Sequence, residues 1–449
     1  MTVDISTSVE PPQIATPGPP AAPVAPVPAG WLRDQVATML GRDLTEFTIA
    51  RLTVHDLRDI GGALGSDAAV DLLARVGQRL ADRLRPGEAW MTLPDGDFMV
   101  LLTEATPSQA RRRLTDLVRG GSGWTPEAYG QLTGGAATAD DATSVDDLFS
   151  RTDLALAAAA RGGPGTVTIF APALRAGARE RVRMVADLRR AVEAGRLTVH
   201  YQPVVALTGA TRPVVGHEAL VRWPEPGHGW IQPDRFIPAA ERAGLIGDVG
   251  LQVARQAILD RRRYGDRCST WLSVNVSPLQ LDGDGFAHSF LALLSEVDVP
   301  GHLLRIEVTE SALLGSTRAG RQLEQLRRQG VKVLVDDFGT GFSSLASLRR
   351  LPIDGIKIAR ELLYNGDDRL PDPSVVRAVR LLAEGAGVTE IIAEGVESAA
   401  EARALGTLGV PYAQGFHLGR PAPASRAFRR RTEAASSSVR SGPGGRGLG

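Results

Sequence analysis

The sequence has 449 residues, equal numbers of basic and acidic side chains (51 Lys+Arg and 51 Asp+Glu), and one cysteine, Cys268. The length exceeds one ordinary domain, so we expect two folded units with tails. A formal net charge of zero gives no global attraction to a nucleic acid polymer or an anionic membrane. A lone cysteine excludes internal disulfides and cysteine-rich zinc sites, and it fits a reducing compartment. Without a signal peptide or an apolar run of about eighteen residues, we expect a cytoplasmic protein with no membrane span.

The first part of the chain alternates helix and strand patterns. Residues 1–30, rich in Pro, Ala and Thr, predict a disordered leader. In residues 31–172, apolar side chains at helical spacing predict a helix from Ala68 to Leu84, and an Ala-rich run predicts another from Asp153 to Ala160. Strands are predicted at Phe98–Leu102, after a turn at Pro94-Asp95-Gly96, and at Thr166–Phe170. This block is therefore predicted to be a small α/β domain.

A connecting helix is predicted over residues 173–196, because Val182, Val185, Leu188 and Val192 recur at helical spacing. The second domain is predicted at 182–428, and residues 429–449, rich in Ser, Gly and Arg, predict a disordered tail.

The second domain repeats strand and helix patterns many times. Helical patterns such as Ser316–Gln329 and Ser374–Gly387 separate most of the strands. The candidate strands are Leu197–Val205, Gly216–Arg222, Thr270–Val276, Leu304–Thr309, Val331–Asp336, Gly355–Ile358, Glu390–Glu394 and Tyr412–Phe416. This order predicts an α/β fold with a closed, modified (β/α)₈ TIM-like barrel, the alternative being an open doubly wound sheet. The first two strands lack an intervening helix, so a hairpin-like irregularity is expected there.

Polar side chains recur where these strands are predicted to end. They are Glu218, Asn275, Glu307, Glu310, Asp336, Asp337, Lys357, Glu394, Glu397 and Gln414. Strand ends converge on one face of a (β/α)₈ barrel, and so many carboxylates in a small volume require cations. Oxygen ligands without Cys or His favour Mg²⁺ or Mn²⁺, and two such ions suit attack by water on a phosphodiester. Each of these residues also has a simpler alternative. The two adjacent aspartates could cap a turn, and Glu218 could pair with Arg222. Asn275 could hydrogen-bond a turn before Pro278, Glu307 could face solvent, and Lys357 could be a rim charge.

The motifs of the second domain resemble the EAL family of cyclic di-GMP phosphodiesterases. The resemblance covers roughly residues 182–425. It is carried by Tyr201-Gln202-Pro203, Glu218-Ala219-Leu220-Val221-Arg222-Trp223, Phe236-Ile237-Pro238-Ala239-Ala240-Glu241, Asn275-Val276-Ser277, Glu307-Val308-Thr309-Glu310, the Asp336–Leu345 segment, Lys357, Glu394-Gly395-Val396-Glu397 and Gln414-Gly415-Phe416.

The resemblance implies a modified barrel that hydrolyses cyclic di-GMP to linear pGpG with two Mg²⁺ or Mn²⁺ ions. It also implies a homodimer formed through the EAL domain. The implied ligands of the first ion are Glu218, Asn275, Glu307 and Asp336, and those of the second are Asp336, Asp337 and Glu394. Lys357 is implied at the attacking water, with Gln202, Leu220, Arg222 and Gln414 binding substrate and Glu310 steadying the loop after Asp337. The family usually reads Lys-Ile-Asp where this chain has Lys357-Ile358-Ala359, a loss that points to weaker support of Lys357 or the neighbouring loop.

The first block resembles a degenerate GGDEF domain, the diguanylate cyclase fold. Pro94-Asp95-Gly96-Asp97-Phe98 stands in place of Gly-Gly-Asp-Glu-Phe, and Ile60-Gly61-Gly62 lacks the family's polar contacts. Pro94 removes an N–H that a phosphate-cradling loop would use. Asp56 is only a nearby carboxylate for the family's metal-binding Asp, and Arg85-Pro86-Gly87-Glu88 is a degenerate inhibitory-site candidate, with an ordinary solvated loop as the alternative.

Three functional hypotheses follow. The favoured one is a cyclic di-GMP phosphodiesterase whose first domain is regulatory or dimerising, with GTP as a candidate allosteric ligand. The alternative is a catalytically weak receptor for cyclic di-GMP, which Ala359 favours. A bifunctional cyclase and phosphodiesterase is disfavoured by Pro94 and by Gly61-Gly62.

Overall fold

The computed structural model describes residues 26–428 apart from 29, 56, 105, 122–130, 210, 226, 228, 266–269, 311–316, 340–350 and 365–369. Most of the predicted leader, the whole predicted tail, Asp56 and Cys268 lie outside the described residues. The chain divides into two units, residues 1–181 and 182–449.

The first unit contains a five-stranded mixed sheet covered by helices on both faces. Its strands are β1 Thr48–Val54, β2 Ala89–Thr92, β3 Phe98–Leu102, β4 Leu132–Thr138 and β5 Val167–Ile169. Its helices are α1 Trp31–Gly41, α2 Leu57–Leu64, α3 Ser66–Ala81, α4 Pro107–Gly121 and α5 Val145–Ala160, and α6 Pro172–Glu193 follows. The strand order is β2-β3-β1-β4-β5, antiparallel except for the parallel pair β4 and β5.

Apolar side chains cover both faces of this sheet. One cluster joins the sheet to α3 and α4 through residues such as Val76 and Leu114, and the other joins it to α1 and α5 through Val36 and Leu148. Strand β4 escapes sequence analysis because Leu132–Thr138 contains two glycines and two alanines. Gly135 is required there: an added Cβ would lie 1.9 Å from the backbone nitrogen of Leu156, so only glycine lets α5 approach the strand this closely.

The second unit alternates strands and helices around a ring. Its strands are β6 Thr198–Ala206, β7 Val214–Glu225, β8 Gly229–Ile231, β9 Trp271–Asn275, β10 Leu304–Thr309, β11 Lys332–Phe338, β12 Gly355–Ile358, β13 Glu390–Ala393, β14 Tyr412–Ala413 and β15 Ala422–Pro423. Its described helices are α7 Pro233–Arg242, α8 Ile246–Gly265, α9 Pro278–Asp282, α10 Phe286–Val297, α11 Thr317–Arg328, α12 Arg360–Leu363, α13 Pro373–Gly385, α14 Ala399–Thr407 and α15 Ala424–Ala427, with a 3₁₀ turn at Gly301–Leu303.

Eight of these strands close into a barrel. The ring runs β6-β7-β9-β10-β11-β12-β13-β14, and β6 closes it by pairing with both β7 and β14. Strand β6 is antiparallel to its two neighbours, whereas the other pairings of the ring are parallel. The predicted closed barrel and its hairpin-like start are confirmed, and the open-sheet alternative is wrong, because β6 pairs with strands from both ends of the series.

Side chains inside the barrel form polar and apolar layers. Residues two apart on a strand share a face, so Val204, Leu334 and Ile392 lie on the same face as Gln202, Asp336 and Glu394. With Trp271, these three residues form an apolar cluster separate from the main core. Two residues before Leu334 and Ile392 on the same strands, Lys332 and Glu390 form an ion network with Arg305. The apolar cluster therefore separates this network from the polar residues at the strands' other ends.

The buried ion network is centred on Glu390. Arg305 donates from Nε and Nη2 to the two Glu390 carboxylate oxygens, each at 2.7 Å, and Lys332 also contacts Glu390 at 2.5 Å. Arg305 lies 4.1 Å above the Trp271 ring. Although burial raises the pKa of Glu390, the hydrogen bonds and charges of Arg305 and Lys332 lower it overall. The network thus stabilises the charged form of a buried carboxylate.

Glu390→Ala should destabilise the fold by about 3–5 kcal/mol, because it leaves the buried Arg305 guanidinium and the partly exposed Lys332 ammonium without their shared partner. The measurement is the free energy of unfolding in urea at pH 7. Glu296→Ala is the matched control, since Glu296 makes the same bidentate pair with Arg255 at an exposed position. The control should leave the denaturation midpoint nearly unchanged. Equal effects of the two variants would contradict the prediction.

The same network predicts a pH dependence. The pKa of Glu390 is lower in the folded than in the unfolded chain, so its contribution to stability is present above the ordinary value of 4.5 and is lost as pH falls through the folded pKa. Unfolding free energies measured from pH 7 down to pH 3 should fall less steeply for Glu390→Gln than for the wild type. Parallel curves would contradict this expectation.

Among the described residues, we find no helix with the length and apolar character needed to cross a bilayer.

Candidate active site

Polar side chains from six strands of the barrel ring, and from the residues just after β13 and β14, gather at one end of the barrel. They are Gln202 on β6, Glu218 on β7, Asn275 on β9, Glu307 on β10, Asp336 and Asp337 on β11, Lys357 on β12, Glu394 just after β13 and Gln414 after β14. Sequence analysis places Glu218 at a strand end, but it lies in the middle of β7. Strand β7 continues to Glu225 because its last residues pair with β8 in a hairpin.

Lys357 lies at the centre of this cluster and contacts four carboxylates. Its Nζ is 2.7 Å from Glu307 Oε2, 2.9 Å from Asp336 Oδ1, 2.6 Å from Glu394 Oε1 and 3.5 Å from Glu218 Oε2. The side chain is 2 % exposed. Burial alone lowers the pKa of a lysine, but these four carboxylates hold the pKa of Lys357 well above its ordinary value. Lys357 therefore stays charged and offsets part of a large negative charge.

Two of the four carboxyl groups that contact Lys357 are protonated more readily than usual. Burial, reinforced by Glu218 and opposed by Lys357, raises the pKa of Glu307 well above its ordinary value. Burial, opposed by Lys357 and reinforced by Asp336, raises the pKa of Glu394 to about 7. One lysine thus does not balance the cluster, which accepts protons or further cations near neutral pH.

A chain of amide hydrogen bonds fixes Glu218. Asn275 Nδ2 donates to Glu218 Oε1 at 2.7 Å, and Gln414 Nε2 donates to Glu218 Oε2 at 2.6 Å. Gln414 Nε2 also lies 3.0 Å from Gln202 Oε1, and Gln202 Nε2 donates to the Gly419 carbonyl at 3.0 Å. These contacts engage Glu218 with residues across the barrel mouth, in place of the pairing with Arg222 weighed from sequence.

A backbone irregularity brings both adjacent aspartates to the mouth. Successive residues of a regular strand point to opposite faces, so Asp336 and Asp337 would be separated. The β11–β12 register shifts between Val335 and Phe338, and Asp337 has a left-handed φ of +52°. Carboxylate oxygens of Asp336, Asp337 and Glu394 consequently lie within 4.8 Å of one another. Asp337 is exposed, yet partial desolvation and the neighbouring Asp336 raise its pKa.

The donor set fits hard divalent cations. Carboxylate oxygens and the Asn275 side chain are ligands that Mg²⁺ and Mn²⁺ accept. Oε1 of Glu307 is buried and has no hydrogen-bond partner in the part of the chain that the structure describes. A buried carboxylate oxygen without a partner is costly unless a cation or a proton satisfies it. The Asp336, Asp337 and Glu394 cluster offers three further oxygens.

Two cavities adjoin the cluster. One, of about 390 Å³, lies over the polar residues themselves and is bordered by Phe416, whose ring is stacked by Arg420. The other, of about 400 Å³, has a mainly apolar lining that includes Leu220, Ile237, Pro238 and Val249 and reaches Asn275 and Glu307. Arg222 is half-buried and donates to the Val221 carbonyl at 2.8 Å. The mouth thus joins an apolar cavity to an acidic one.

The model of the EAL domain matches residues 185–421, more than half of the chain. The chain belongs to the EAL domain family. The EAL domain is the barrel described above, and its mouth carries the residues on which the sequence resemblance rests.

Several curated proteins are similar over both units. One is the bifunctional diguanylate cyclase/cyclic di-GMP phosphodiesterase MucR of Pseudomonas aeruginosa, 33 % identical over 396 residues, which cover 85 % of this chain and 57 % of MucR. Another is the cyclic di-GMP phosphodiesterase PdeR of Escherichia coli, 31 % identical over 390 residues, covering 85 % of this chain and 58 % of PdeR. The chain spans about half the length of the curated relatives it matches.

Solved structures also resemble the EAL domain. The PaMucR phosphodiesterase in complex with c-di-GMP is 38 % identical, covers 55 % of this chain and 99 % of its own, and has a TM-score of 0.50. The EAL enzyme Bd1971, bound to cAMP and cyclic-di-GMP, is 26 % identical, covers 67 % of this chain and 81 % of its own, and has a TM-score of 0.53.

The structure shows how the EAL domain accommodates Ala359. This residue is 1 % exposed and precedes α12, where no side chain caps the helix. Lys357 keeps its contacts with four carboxylates, none of which comes from position 359. The sequence-based expectation that Lys357 loses support is therefore not met by the geometry around Lys357.

Glu310 is buried, and neither of its carboxylate oxygens accepts a hydrogen bond from the described residues. The loop that Glu310 was predicted to steady includes 340–350, which lie outside the described residues, so this role stays a prediction.

In the first unit, Glu88 serves an internal contact. Its buried carboxylate accepts from Arg113 Nε at 3.1 Å and Nη2 at 2.5 Å and from the Arg85 amide at 2.7 Å. Arg85 instead pairs with Glu104 at 2.7 Å. The alternative of an ordinary solvated loop is wrong for Glu88. Its side chain is buried and attaches the loop to Arg113 of α4.

Arg51 lies among the acids of the Pro94–Phe98 turn. Its guanidinium donates to Asp97 at 2.7 Å, to Asp153 at 2.8 Å and to Asp95. The acids of the degenerate motif thus already have a cationic partner. Sequence analysis missed Arg51 because β1 itself was not predicted.

Lys357→Met should lower the unfolding free energy of the metal-free protein by about 3 kcal/mol, because four carboxylates lose the cation they share. Added Mn²⁺ should then raise the thermal midpoint of the variant more than that of the wild type, since the ion replaces the missing charge. The measurement is thermal unfolding at pH 8 with and without Mn²⁺. Lys332→Met is the control, because it removes a cation from the Glu390 network and should show no added Mn²⁺ response. Equal Mn²⁺ shifts in all three proteins would refute the charge-balance account.

Proposed function

We propose that the EAL domain hydrolyses cyclic di-GMP to linear pGpG with two Mg²⁺ or Mn²⁺ ions. The observation that carries this proposal is the convergence of Glu218, Glu307, Asp336 and Glu394 on Lys357, with Asp337 and Asn275 beside them. The cyclic di-GMP complex of PaMucR, 38 % identical to this chain over the barrel, supports the choice of substrate.

The site residues divide into two sets. Glu218, Asn275, Glu307 and Asp336 would hold the first ion, and Asp336, Asp337 and Glu394 would hold the second. Such ions supply an activated water and stabilise negative charge on phosphate oxygens. The unpartnered Oε1 of Glu307 and the three grouped oxygens of Asp336, Asp337 and Glu394 support this division.

The chain's other residues orient substrate and water. Lys357, fixed and charged, holds the attacking water and offsets charge that develops on the phosphate. Gln202 and Gln414 position Glu218 and border the substrate. The apolar cavity that Leu220 lines has the size and character to take a guanine base, and Arg222, half-buried on the same strand, serves a phosphate.

The test is incubation of the purified protein with cyclic di-GMP and Mg²⁺ or Mn²⁺, with pGpG measured by chromatography. Glu218→Ala should lower turnover at least about a hundredfold, because it removes a metal ligand that also receives two amide hydrogen bonds. Glu296→Ala removes an exposed carboxylate from the surface and should retain wild-type turnover. Wild-type protein without turnover in either metal would refute the proposal.

A receptor that binds cyclic di-GMP without hydrolysis is the second candidate, favoured by Ala359 alone. Tight binding with no pGpG in either metal would select the receptor.

We further propose that the first unit is a GGDEF-like domain without cyclase activity, which regulates or dimerises the EAL domain. The alignment with MucR supports the assignment of a GGDEF-like domain. Its 396 residues are many more than the EAL domain contains, and since few residues follow position 421, most of the rest fall in the first unit. The proline in the Pro94–Phe98 turn and the engagement of its acids by Arg51 support the loss of cyclase activity. Cytoplasmic location, GTP as an allosteric ligand and an EAL-mediated homodimer are parts of the same proposal.

With GTP and Mg²⁺, Glu218→Ala protein should form no cyclic di-GMP, since the acids of the turn are paired with Arg51. The Glu218→Ala change prevents any product from being hydrolysed during the assay. The measurement is chromatography of the nucleotide products, and detection of cyclic di-GMP would contradict the proposal. Light scattering of the wild type tests the homodimer, and cyclic di-GMP turnover with and without GTP tests the allosteric ligand.

A further inference from the structure

A single arginine connects helix α12 to the turn that carries Glu394. Arg360 follows Ala359 directly and donates from Nη1 to the Gly395 carbonyl. Its Nη2 lies 3.3 Å from Glu397 Oε2, and Nη1 lies 3.6 Å from Glu401 Oε2. The guanidinium therefore spans three residues of the Glu394–Glu401 segment.

The turn after Glu394 fits closely against this arginine. Gly395 has a φ of +66°, and a Cβ added to it would lie 2.9 Å from Arg360 Cδ and 3.0 Å from Arg360 Cβ. Only glycine meets both requirements at once. Beyond the turn, the Glu394 amide donates to the Ile358 carbonyl at 3.1 Å, and the Val396 amide donates to the Gln414 carbonyl at 3.0 Å. The turn is thus bound on the α12 side by Arg360 and on the β14 side by Gln414.

A buried carboxylate and a tyrosine hold Arg360 in place. The guanidinium lies 4.6 Å from the centroid of the Tyr364 ring. The Tyr364 hydroxyl donates to Glu401 Oε2 at 2.9 Å, and the Glu397 amide donates to the same oxygen at 2.9 Å. Ser398 Oγ donates to Glu401 Oε1 at 2.9 Å. Glu401 therefore joins Tyr364, Arg360 and the turn into one network.

We propose that Arg360 is a positioning residue that holds Glu394 at the metal-binding end of the barrel and does so in a chain whose position 359 has no carboxylate. The inference rests on the proposed function and adds a residue that acts through Glu394 without touching substrate. An arginine is required because a planar fork reaches the carbonyl and the carboxylates together, whereas a lysine reaches only one of them at a time.

The first test measures Mn²⁺ binding to metal-free protein by isothermal titration calorimetry, in the absence of substrate. Arg360→Met should weaken Mn²⁺ binding about 10- to 100-fold, the range typical of groups that orient a metal ligand. Arg360→Lys should restore part of the affinity, because it keeps one donor and the charge over Tyr364. Arg380→Met is the matched control: Arg380 Nη1 also donates to a backbone carbonyl, that of Leu408 at 2.8 Å, but on the exposed side of α13. The control should bind Mn²⁺ within about twofold of the wild type.

The second test separates positioning from general loss of structure. In assays of cyclic di-GMP hydrolysis, Arg360→Met should lower kcat about tenfold or more at subsaturating Mn²⁺ and change KM much less. Excess Mn²⁺ should recover part of kcat. Tyr364→Phe, which removes only one hydroxyl from the network, should give a smaller change in the same direction and keeps the test informative if Arg360→Met does not fold.

The outcomes distinguish this inference from the proposed function. The role of Arg360 alone would be overturned if the wild type hydrolyses cyclic di-GMP and both variants, Arg360→Met and Tyr364→Phe, match its Mn²⁺ affinity and kcat. A wild type that binds Mn²⁺ but produces no pGpG would overturn the proposed function, while weaker Mn²⁺ binding in Arg360→Met would still support the role of Arg360.

Discussion

The barrel mouth depends on charge balance around one ammonium group. Four carboxylates, three from strands and one from the residue just after β13, approach Lys357, which is 2 % exposed, and a fifth, from Asp337, lies beside them. Each strand contributes its side chain because the parallel ladder carries all the strand ends to one rim. Without a cation these groups would repel one another, and burial would protonate some of them. The pKa values of Glu307 and Glu394 stay raised because the single positive charge of Lys357 does not offset all of this negative charge.

An apolar layer separates the negative charge at the mouth from the cations elsewhere in the barrel. Val204, Trp271, Leu334 and Ile392 form an apolar layer between the mouth and the Arg305–Lys332–Glu390 network. The deeper network has two cations for one carboxylate, the opposite excess from that at the mouth. Because the low-polarity layer lies between them, the mouth carboxylates cannot form contacts with Arg305 or Lys332. Their negative charge therefore remains available to an incoming cation.

Much of the barrel could be predicted from the sequence, since long apolar strands separated by amphipathic helices leave a clear pattern. The eight predicted strands agree with the structure to within three residues. The largest differences are at β7, which a short hairpin lengthens beyond the apolar pattern, and at β14, which ends at Ala413. Asp336 and Asp337 were expected together, but the bulge that brings both to the mouth depends on the β11–β12 register, which a sequence pattern does not contain. Arg360 and Arg51 were missed because an exposed-looking arginine reveals its partners only when distant segments meet.

Strand β6 runs antiparallel to both of its neighbours, so the chain enters the barrel at the end opposite to the usual one. Thr198 pairs with Arg222, which lies beyond Glu218 toward the rim, so the polypeptide enters the ring at the end that carries Lys357 and runs away from it. In a barrel made only of parallel strands, the first strand would begin at the opposite face. A displacement of the residues that precede Thr198 would therefore reach Gln202 within four residues of β6, without crossing to the opposite end of the barrel.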